Sequence, residues 1–491
     1  MSTTIDSTRE SELLSTVPTG LFIGGRWRAA TGGATVAVED PATGRTLVEI
    51  ADGTVEDGTA ALDAAVATAP AWAKTPTRVR AEILRKAFDL VAARADDFAL
   101  LMTLEMGKPL AEAKGEVAYG NEFFRWFSEE APRISGRYSQ NPVGGSRLLT
   151  MKQPVGPVLA ILPWNFPLAM GTRKIAPALA AGCTIVVKPA TQTPLTTLYL
   201  AQTLADAGVP DGVVNVITTS TTSKVVAPLI ADPRLRKLTF TGSTPVGKKL
   251  VEQSAQQLLR ISMELGGNAP FVVFDDADVD KAVEGAMLAK MRNQGEACTA
   301  ANRFYVQRPV AEEFSRKLAE RMGSLVVGRG TEDGAQVGPL IDARARDDVA
   351  QRVTEAVEAG ARVVVGGQAV GEAGYFYAPT VVTDVPVGAR LLTEETFGPV
   401  APVVVFDTEE EGVALANDTE YGLIAYAFTQ GMDRAMRVAE ALETGMVGLN
   451  SGLVSNAAAP FGGVKASGFG REGGLEGIEE YLETKYVNFP L

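Results

Sequence analysis

Residues 236–270 read RKLTFTGSTPVGKKLVEQSAQQLLRISMELGGNAP: an apolar β-type run, a Gly-Ser-Thr-Pro turn, a helical stretch, and a second β-type run closed by Gly-Gly. Strand, helix and strand in about 30 residues make a βαβ unit, whose two strands run parallel. The rhythm repeats upstream, where PVGPVLAIL from Pro154, TIVVKP from Thr184 and GVVNVI from Gly212 alternate with helical stretches such as LTTLYLAQTLADAG. Such alternation predicts a doubly wound parallel sheet covered by helices on both faces, with ligands at the carboxyl ends of its strands. A second cycle begins at PFVVFDD and runs through DVAQRVTEAVEAG and ARVVVGG, which implies a second α/β domain.

On the N-terminal side, LFIGGRWRAA carries the Gly24-Gly25 pair of a tight hairpin. The stretch from Arg78 to Glu105 has apolar residues at steps of three and four, as one amphipathic helix would. Residues 134–152 are rich in Gly, Pro, Ser and Asn before turning apolar, the pattern of strands projecting from a domain.

A chain of 491 residues, 46% hydrophobic, is long enough for two or three domains. Its net charge of −13 argues against nucleic acid and anionic membranes as partners and favours a small ligand. No run approaches the roughly 20 apolar residues of a membrane span, and the start lacks the basic-then-apolar order of a signal peptide. A cytoplasmic protein with a flexible N-terminus over residues 1–20 is expected. Two cysteines, Cys183 and Cys298, suit a reducing compartment. The absence of histidine excludes Ser-His-Asp and Cys-His catalysis and removes the commonest zinc ligand, so no metal is expected.

Within the opening stretch, Thr244 is placed to cap the helix and Pro245 suits its first position. The free N–H groups of that helix start would favour a phosphate, although Gly242 and Gly247 are not spaced as a dinucleotide fingerprint and equally suit a structural βα turn. Lys188 ends a strand before Pro189, where it would reach a ribose or phosphate, or solvent. Glu264 closes a strand before Gly-Gly, and Asn165 stands in the turn LPWNFP. Cys298 lies in the small, polar stretch RNQGEACTAANR, whereas Cys183 in ALAAGCTIVV reads as buried and inert. Each residue alone has a bland reading. Together, Asn165, Lys188, Gly242 and Glu264 all fall where β-type runs end, which in a doubly wound sheet is one crevice.

The motifs PWNFP, KPA, FTGS, MELGGNAP, GEACTAANR, EETFGPV and PFGGVKASGFGRE, found nearly end to end, resemble those of the NAD(P)-dependent aldehyde dehydrogenase superfamily. Glu264 and Cys298 are 34 residues apart, as that family's base and nucleophile are. The resemblance implies Cys298 as nucleophile, Glu264 as base, and Asn165 with the Cys298 backbone N–H as oxyanion donors. It places Trp164, Lys188, Thr191, Gly242, Ser243, Leu265, Glu395 and Phe397 at cofactor-contacting positions. The implied chemistry is coherent: thiol attack turns a carbonyl into a thiohemiacetal oxyanion able to expel hydride, and the thioester left behind is hydrolysed. A cysteine esterase is the alternative from another class.

The chain most resembles the succinate-semialdehyde dehydrogenases, through Arg173, Arg292 and Ser455 at the positions that hold a distal carboxylate there. Two guanidiniums and a hydroxyl suit a carboxylate. Glutarate semialdehyde or an uncharged aliphatic aldehyde is the alternative substrate. Three departures stand out. Ala300 replaces the second cysteine of redox-regulated members, removing that disulfide switch. Thr191 replaces the glutamate of strongly NAD-selective relatives, so NADP is accepted as well as NAD. Thr219 stands where relatives usually have glycine, with no reading from sequence. The implied fold is aldehyde-dehydrogenase-like: a cofactor domain over 21–131 and 153–262, a catalytic domain over 263–474, and a small β oligomerisation element from 132–152 and 475–491. A homodimer or homotetramer follows by resemblance.

Overall fold

The computed structural model describes residues 7–491. Its first sheet has eight strands, in the order 468–469, 260–264, 237–241, 158–161, 185–188, 214–216, 21–23 and 26–28. The central five are parallel. Val158–Ile161 comes first of these in the chain, and its successors fill one side and then the other. The switch point therefore lies between Val158–Ile161 and Lys237–Thr241, where an open α/β sheet forms its ligand crevice. Continuous apolar runs are needed because both faces are covered. Val158 and Ala160 enter one core, while Leu159 and Ile161 enter another.

The second sheet has seven strands, in the order 362–365, 380–383, 400–406, 301–307, 269–273, 424–428 and 446–449, parallel except for the first. It too is buried on both faces, with Phe271 and Val273 on one side and Val272 on the other. Glu264 ends a strand of the first sheet, Ala269 starts one of the second, and only the Leu265–Asn268 turn separates the sheets. A three-stranded antiparallel sheet joins Arg137–Gln140, Ser146–Pro154 and Leu482–Pro490, the last two pairing along nine positions.

Several expectations are corrected. The flexible N-terminus does not hold over residues 7–20, since Ser7–Thr16 is a helix with Leu13 buried, Arg9 paired to Asp97 and Glu10 to Arg329. Residues 1–6 lie outside the described residues. The single helix expected over 78–105 is two, Thr77–Ala93 and Ala95–Met106, broken where the Arg94 guanidinium reaches Asp206 at 2.6 Å. Thr244 does not cap its helix. Ser243 occupies the cap without a side-chain hydrogen bond, while Thr244 accepts from Gly266 N at 3.2 Å and donates to Ala466 O at 3.1 Å. The chain also returns to the first sheet earlier than the expected boundary at 474, because Gly468–Phe469 pairs with Met263–Glu264. Gly24 and Gly25 do form the hairpin turn, both at positive φ (60° and 77°).

Candidate active site

Cys298 is half-buried in a loop just before the strand Ala301–Gln307. Three consecutive residues upstream are left-handed: Asn293 (φ 55°), Gln294 (φ 55°) and Gly295 (φ 80°). Non-glycine residues there are strained, at about 1–3 kcal/mol each, and persist only when their surroundings hold them. Asn293 Nδ2 donates to Asn165 O and Glu296 O (3.1 and 2.9 Å), and Gln294 Nε2 to Pro339 O (3.2 Å). On the far side, a Cβ on Gly267 would lie 2.3 Å from Cys298 O, so the Gly-Gly turn is what lets the two sheets' backbones meet at the thiol. Burial pushes the thiol up to about 12 against the opposing pull of Arg173, with Glu395 and Glu264 adding to the rise. At neutral pH the resting group is a thiol that needs a base.

Asn165, 5% exposed, follows the strand Val158–Ile161 at the switch point. Its Nδ2 donates to Glu296 O at 3.0 Å, which fixes the carboxamide's orientation and leaves its second N–H available. Among the described residues no acceptor takes the Cys298 backbone N–H. The two expected oxyanion donors thus flank one space.

Glu264 is 3% exposed, and a Cβ on Gly462 would come within 2.9 Å of its Oε1. Burial raises this carboxyl well above the ordinary range, and Glu472 raises it further, while Arg173 and Lys174 oppose. The helix Ala169–Ala181 is buried at all thirteen positions, yet carries those two cations side by side. Arg173 Nε and Lys174 Nζ both donate to Glu472, and Lys174 Nζ also to Thr241 Oγ1 at 2.7 Å. Although burial pushes Glu472 up, the two cations outweigh it and hold this carboxylate low. Arg173 Nη2 stops 3.9 Å from Glu264 Oε2, and both atoms are buried without a hydrogen-bond partner. A low carboxylate and a high one thus share a cationic bridge, the arrangement that separates an anchor from a base.

Trp164, Gly242, Ser243, Leu265, Glu395 and Phe397 line one cavity of about 520 Å³ that Cys298 and Asn165 also border. Trp164 and Phe397 meet edge-to-face at 5.8 Å. A Cβ on Gly247 would strike Leu265 at 2.4 Å, which explains the second glycine of the turn. Glu395 Oε1 accepts from Gly267 N at 2.7 Å, and burial raises its carboxyl to about 7. Lys188 and Thr191 lie beyond this lining, along the carboxyl edge of the same sheet. Lys188 is 4% exposed, its ammonium group has no ion pair or hydrogen bond among the described residues, and burial pushes it down to about 8. Thr191 Oγ1 donates to Thr219 O at 3.0 Å, and Thr219 Oγ1 accepts from Thr221 N at 3.1 Å. Thr219 therefore closes a turn into the helix Thr222–Ala231 and anchors Thr191.

A second cavity, about 330 Å³, is lined by Glu116, Tyr119, Phe166, Arg292, Leu453 and Ser455 among others. Arg292 lies over the rings of Phe166 (4.8 Å) and Tyr119 (5.7 Å), with Nη1 3.3 Å from Ser455 Oγ. Arg173 borders neither cavity. It sits behind them, 4.1 Å from the Phe461 ring, so only two of the three expected carboxylate ligands face open space.

Residues 27–487 match the model of the aldehyde dehydrogenase family. The chain belongs to that family. It is 63% identical, over 90% of its length and 98% of the relative's, to a succinate-semialdehyde dehydrogenase of Paenarthrobacter nicotinovorans. It is 50% identical, over 95% of its length and 96% of the relative's, to an NADP+-dependent succinate-semialdehyde dehydrogenase of Escherichia coli. The crystal structure of succinate-semialdehyde dehydrogenase from Burkholderia pseudomallei superposes with a TM-score of 0.96 at 48% identity, covering 97% of this chain and 99% of that one.

Three residues of this aldehyde dehydrogenase that border the site, Lys174, Glu472 and Tyr119, are not among those the sequence pointed to. Lys174 had a legible signal: a charge beside Arg173 inside an apolar, alanine-rich helix must be paired when buried. Glu472 had none, because its partners are almost 300 residues away. The Tyr119 hydroxyl is buried beside Arg292 and Ser455. Among the described residues, no group of His, Cys, Asp and Glu has the arrangement of a metal site, and no helix is long and apolar enough to cross a membrane.

Proposed function

We propose that this aldehyde dehydrogenase oxidises succinate semialdehyde to succinate, with NADP+ or NAD+ as acceptor. The observation that carries the substrate is the Arg292–Ser455 contact in the lining of the smaller cavity, with the Arg292 charge near enough to act on Cys298, which borders the larger one. A four-carbon aldehyde whose far end is a carboxylate matches a nucleophile at one end and an unpaired guanidinium at the other.

The residues fit a dinucleotide. Lys188 is a buried cation without a counterion, and the helix Thr244–Ser254 starts with no side-chain cap on its N–H groups. Lys188 and Thr191 would hold the adenosine ribose, Gly242 and Ser243 the pyrophosphate, and Glu395 and Phe397 the nicotinamide end. Thr191 carries no charge to repel a 2′-phosphate, and the match to an NADP+-dependent relative supports the same reading. When bound, the nicotinamide accepts the hydride.

The chain's own groups do the rest. Glu264 takes the Cys298 proton as sulfur attacks the aldehyde carbon, and its raised affinity for protons makes it a competent base. Asn165 Nδ2 and the Cys298 N–H meet the oxyanion of the thiohemiacetal. Glu264 releases the Cys298 proton to solvent, and after oxidation to the thioester it draws a proton from the attacking water and passes it to the departing sulfur, so that succinate leaves and the thiol is restored. The three-stranded sheet leaves Tyr138, Tyr486 and Phe489 exposed, which supports pairing of subunits into a homodimer or homotetramer. The two unpaired cysteines suit the cytoplasm.

The test is kcat/KM for succinate semialdehyde, glutarate semialdehyde and butanal, each with NADP+ and NAD+. Succinate semialdehyde should lead, and equal values for butanal would defeat the substrate assignment.

A further inference from the structure

The helix Leu110–Glu130 and the turn before it place a lysine and a carboxylate where neither has contact with solvent: Lys108 and Glu116 are each 1% exposed and paired through Lys108 Nζ and Glu116 Oε2. Every remaining bond of the pair goes to one short elbow of chain. Lys108 Nζ donates to Asn165 O at 2.8 Å. Glu116 Oε1 accepts from Leu168 N at 3.0 Å and Ala169 N at 3.1 Å, at the start of the helix Ala169–Ala181. Asn293, from the strained loop before Cys298, adds a second donor to the same Asn165 O.

Buried ion pairs are weak sources of stability, because desolvation offsets their attraction and apolar side chains of similar volume do as well. What apolar side chains cannot do is grip a carbonyl and two N–H groups of an irregular elbow at once. The elbow bears the side chain whose placement the chemistry depends on: Asn165 Nδ2 must face the oxygen that becomes an oxyanion, and a displacement of about 1 Å can cost about 10²-fold in rate.

We propose that Lys108 and Glu116 act as a positioning pair for the oxyanion site, holding the 165–169 elbow so that the Asn165 carboxamide meets the attacked carbonyl. Lys108 borders neither cavity, and Glu116, although it lines the smaller one, has both carboxylate oxygens taken up by Lys108, Leu168 N and Ala169 N. Both act through Asn165, so the inference rests on the Asn165 role given above.

The experiment is a double-mutant cycle on the full-length enzyme with succinate semialdehyde and NADP+, using Lys108→Met, Asn165→Ala and their combination. Lys108→Met should lower kcat by about 10²-fold. It should leave NADP+ affinity, read by fluorescence titration, and the rate of Cys298 alkylation by iodoacetamide within about threefold. In the Asn165→Ala background the same change should cost less than about threefold. Glu116→Gln, which keeps an acceptor for the two N–H groups, should show a smaller loss that also vanishes in that background. Unchanged kcat in Lys108→Met, or an equal loss with and without Asn165, overturns the positioning role. So does failure of both Lys108→Met and Glu116→Gln to fold, since a scaffold role then suffices. If Asn165→Ala alone costs nothing, it is the oxyanion assignment that falls, and the positioning role with it.

Discussion

Replacing Arg292 by Met separates recognition of the distal carboxylate from the chemistry at Cys298. Met retains the apolar stem and can fill the space between Phe166 and Tyr119, whose rings lie 4.8 and 5.7 Å from the guanidinium carbon, so the pocket keeps its shape. What disappears is the charge beside Ser455 Oγ. A hydrogen bond to a charged group is worth about 1.5–3 kcal/mol, and each 1.4 kcal/mol is about tenfold. The expected loss in kcat/KM for succinate semialdehyde is therefore about 10- to 150-fold. Butanal carries no charge for Arg292 to meet, so its kcat/KM should change by less than about threefold. The assay is the appearance of reduced cofactor by absorbance at varied aldehyde and saturating NADP+. Equal losses for both aldehydes would refute the reasoning, because Arg292 would then be serving the nucleophile or the fold.

Arg173→Met should behave differently: its guanidinium is taken up by Glu472 and approaches Glu264, so activity should fall at least about 10-fold with butanal as well, and a selective loss with succinate semialdehyde would contradict this. In Glu264→Gln, the first-turnover burst of reduced cofactor should slow because Cys298 loses its base, and the steady state should slow further, with mass spectrometry of the quenched enzyme finding the acyl group on Cys298; full steady-state turnover would remove Glu264 from the hydrolytic step. Because burial holds Lys188 near 8, it is a cation below that pH and loses its charge above it. NADP+ affinity should therefore weaken as pH rises past about 8, by up to tenfold per pH unit, and Lys188→Met should flatten the profile; an unchanged profile would detach Lys188 from the phosphate.

The crevice proposed for the cofactor was legible as a place because it is a matter of strand ends. A run such as TIVVKP or RKLTFTGS announces both the strand and where it stops, and the parallel sheet brings such stops to one edge whatever the side chains do. The Gly-Gly turn after Glu264 was legible for a similar reason, since a residue without Cβ marks a close approach. The failures have local causes. One unbroken helical periodicity hid the break at Arg94, a residue type with no breaking tendency of its own. Thr244 looked like a cap from its neighbours alone, yet Gly266 and Ala466 engage its hydroxyl. The left-handed Asn293 and Gln294 gave no warning, since the bonds that hold them include long-range ones to Asn165 and Pro339.

The sequence by itself determined the doubly wound architecture, and it singled out Cys298, Glu264 and Asn165 as the proposed catalytic set and the neutral Thr191 for the proposed cofactor site. Those are properties of residue type and of position along a strand. Only the tertiary structure decided how the charges are shared. It joined Arg173 and Lys174 to Glu472, left Lys188 without a counterion, set Arg292 against Ser455 and closed Lys108 and Glu116 onto the Asn165 elbow. Ionic partners in a buried site are chosen by proximity in space, and desolvation penalises every wrong choice.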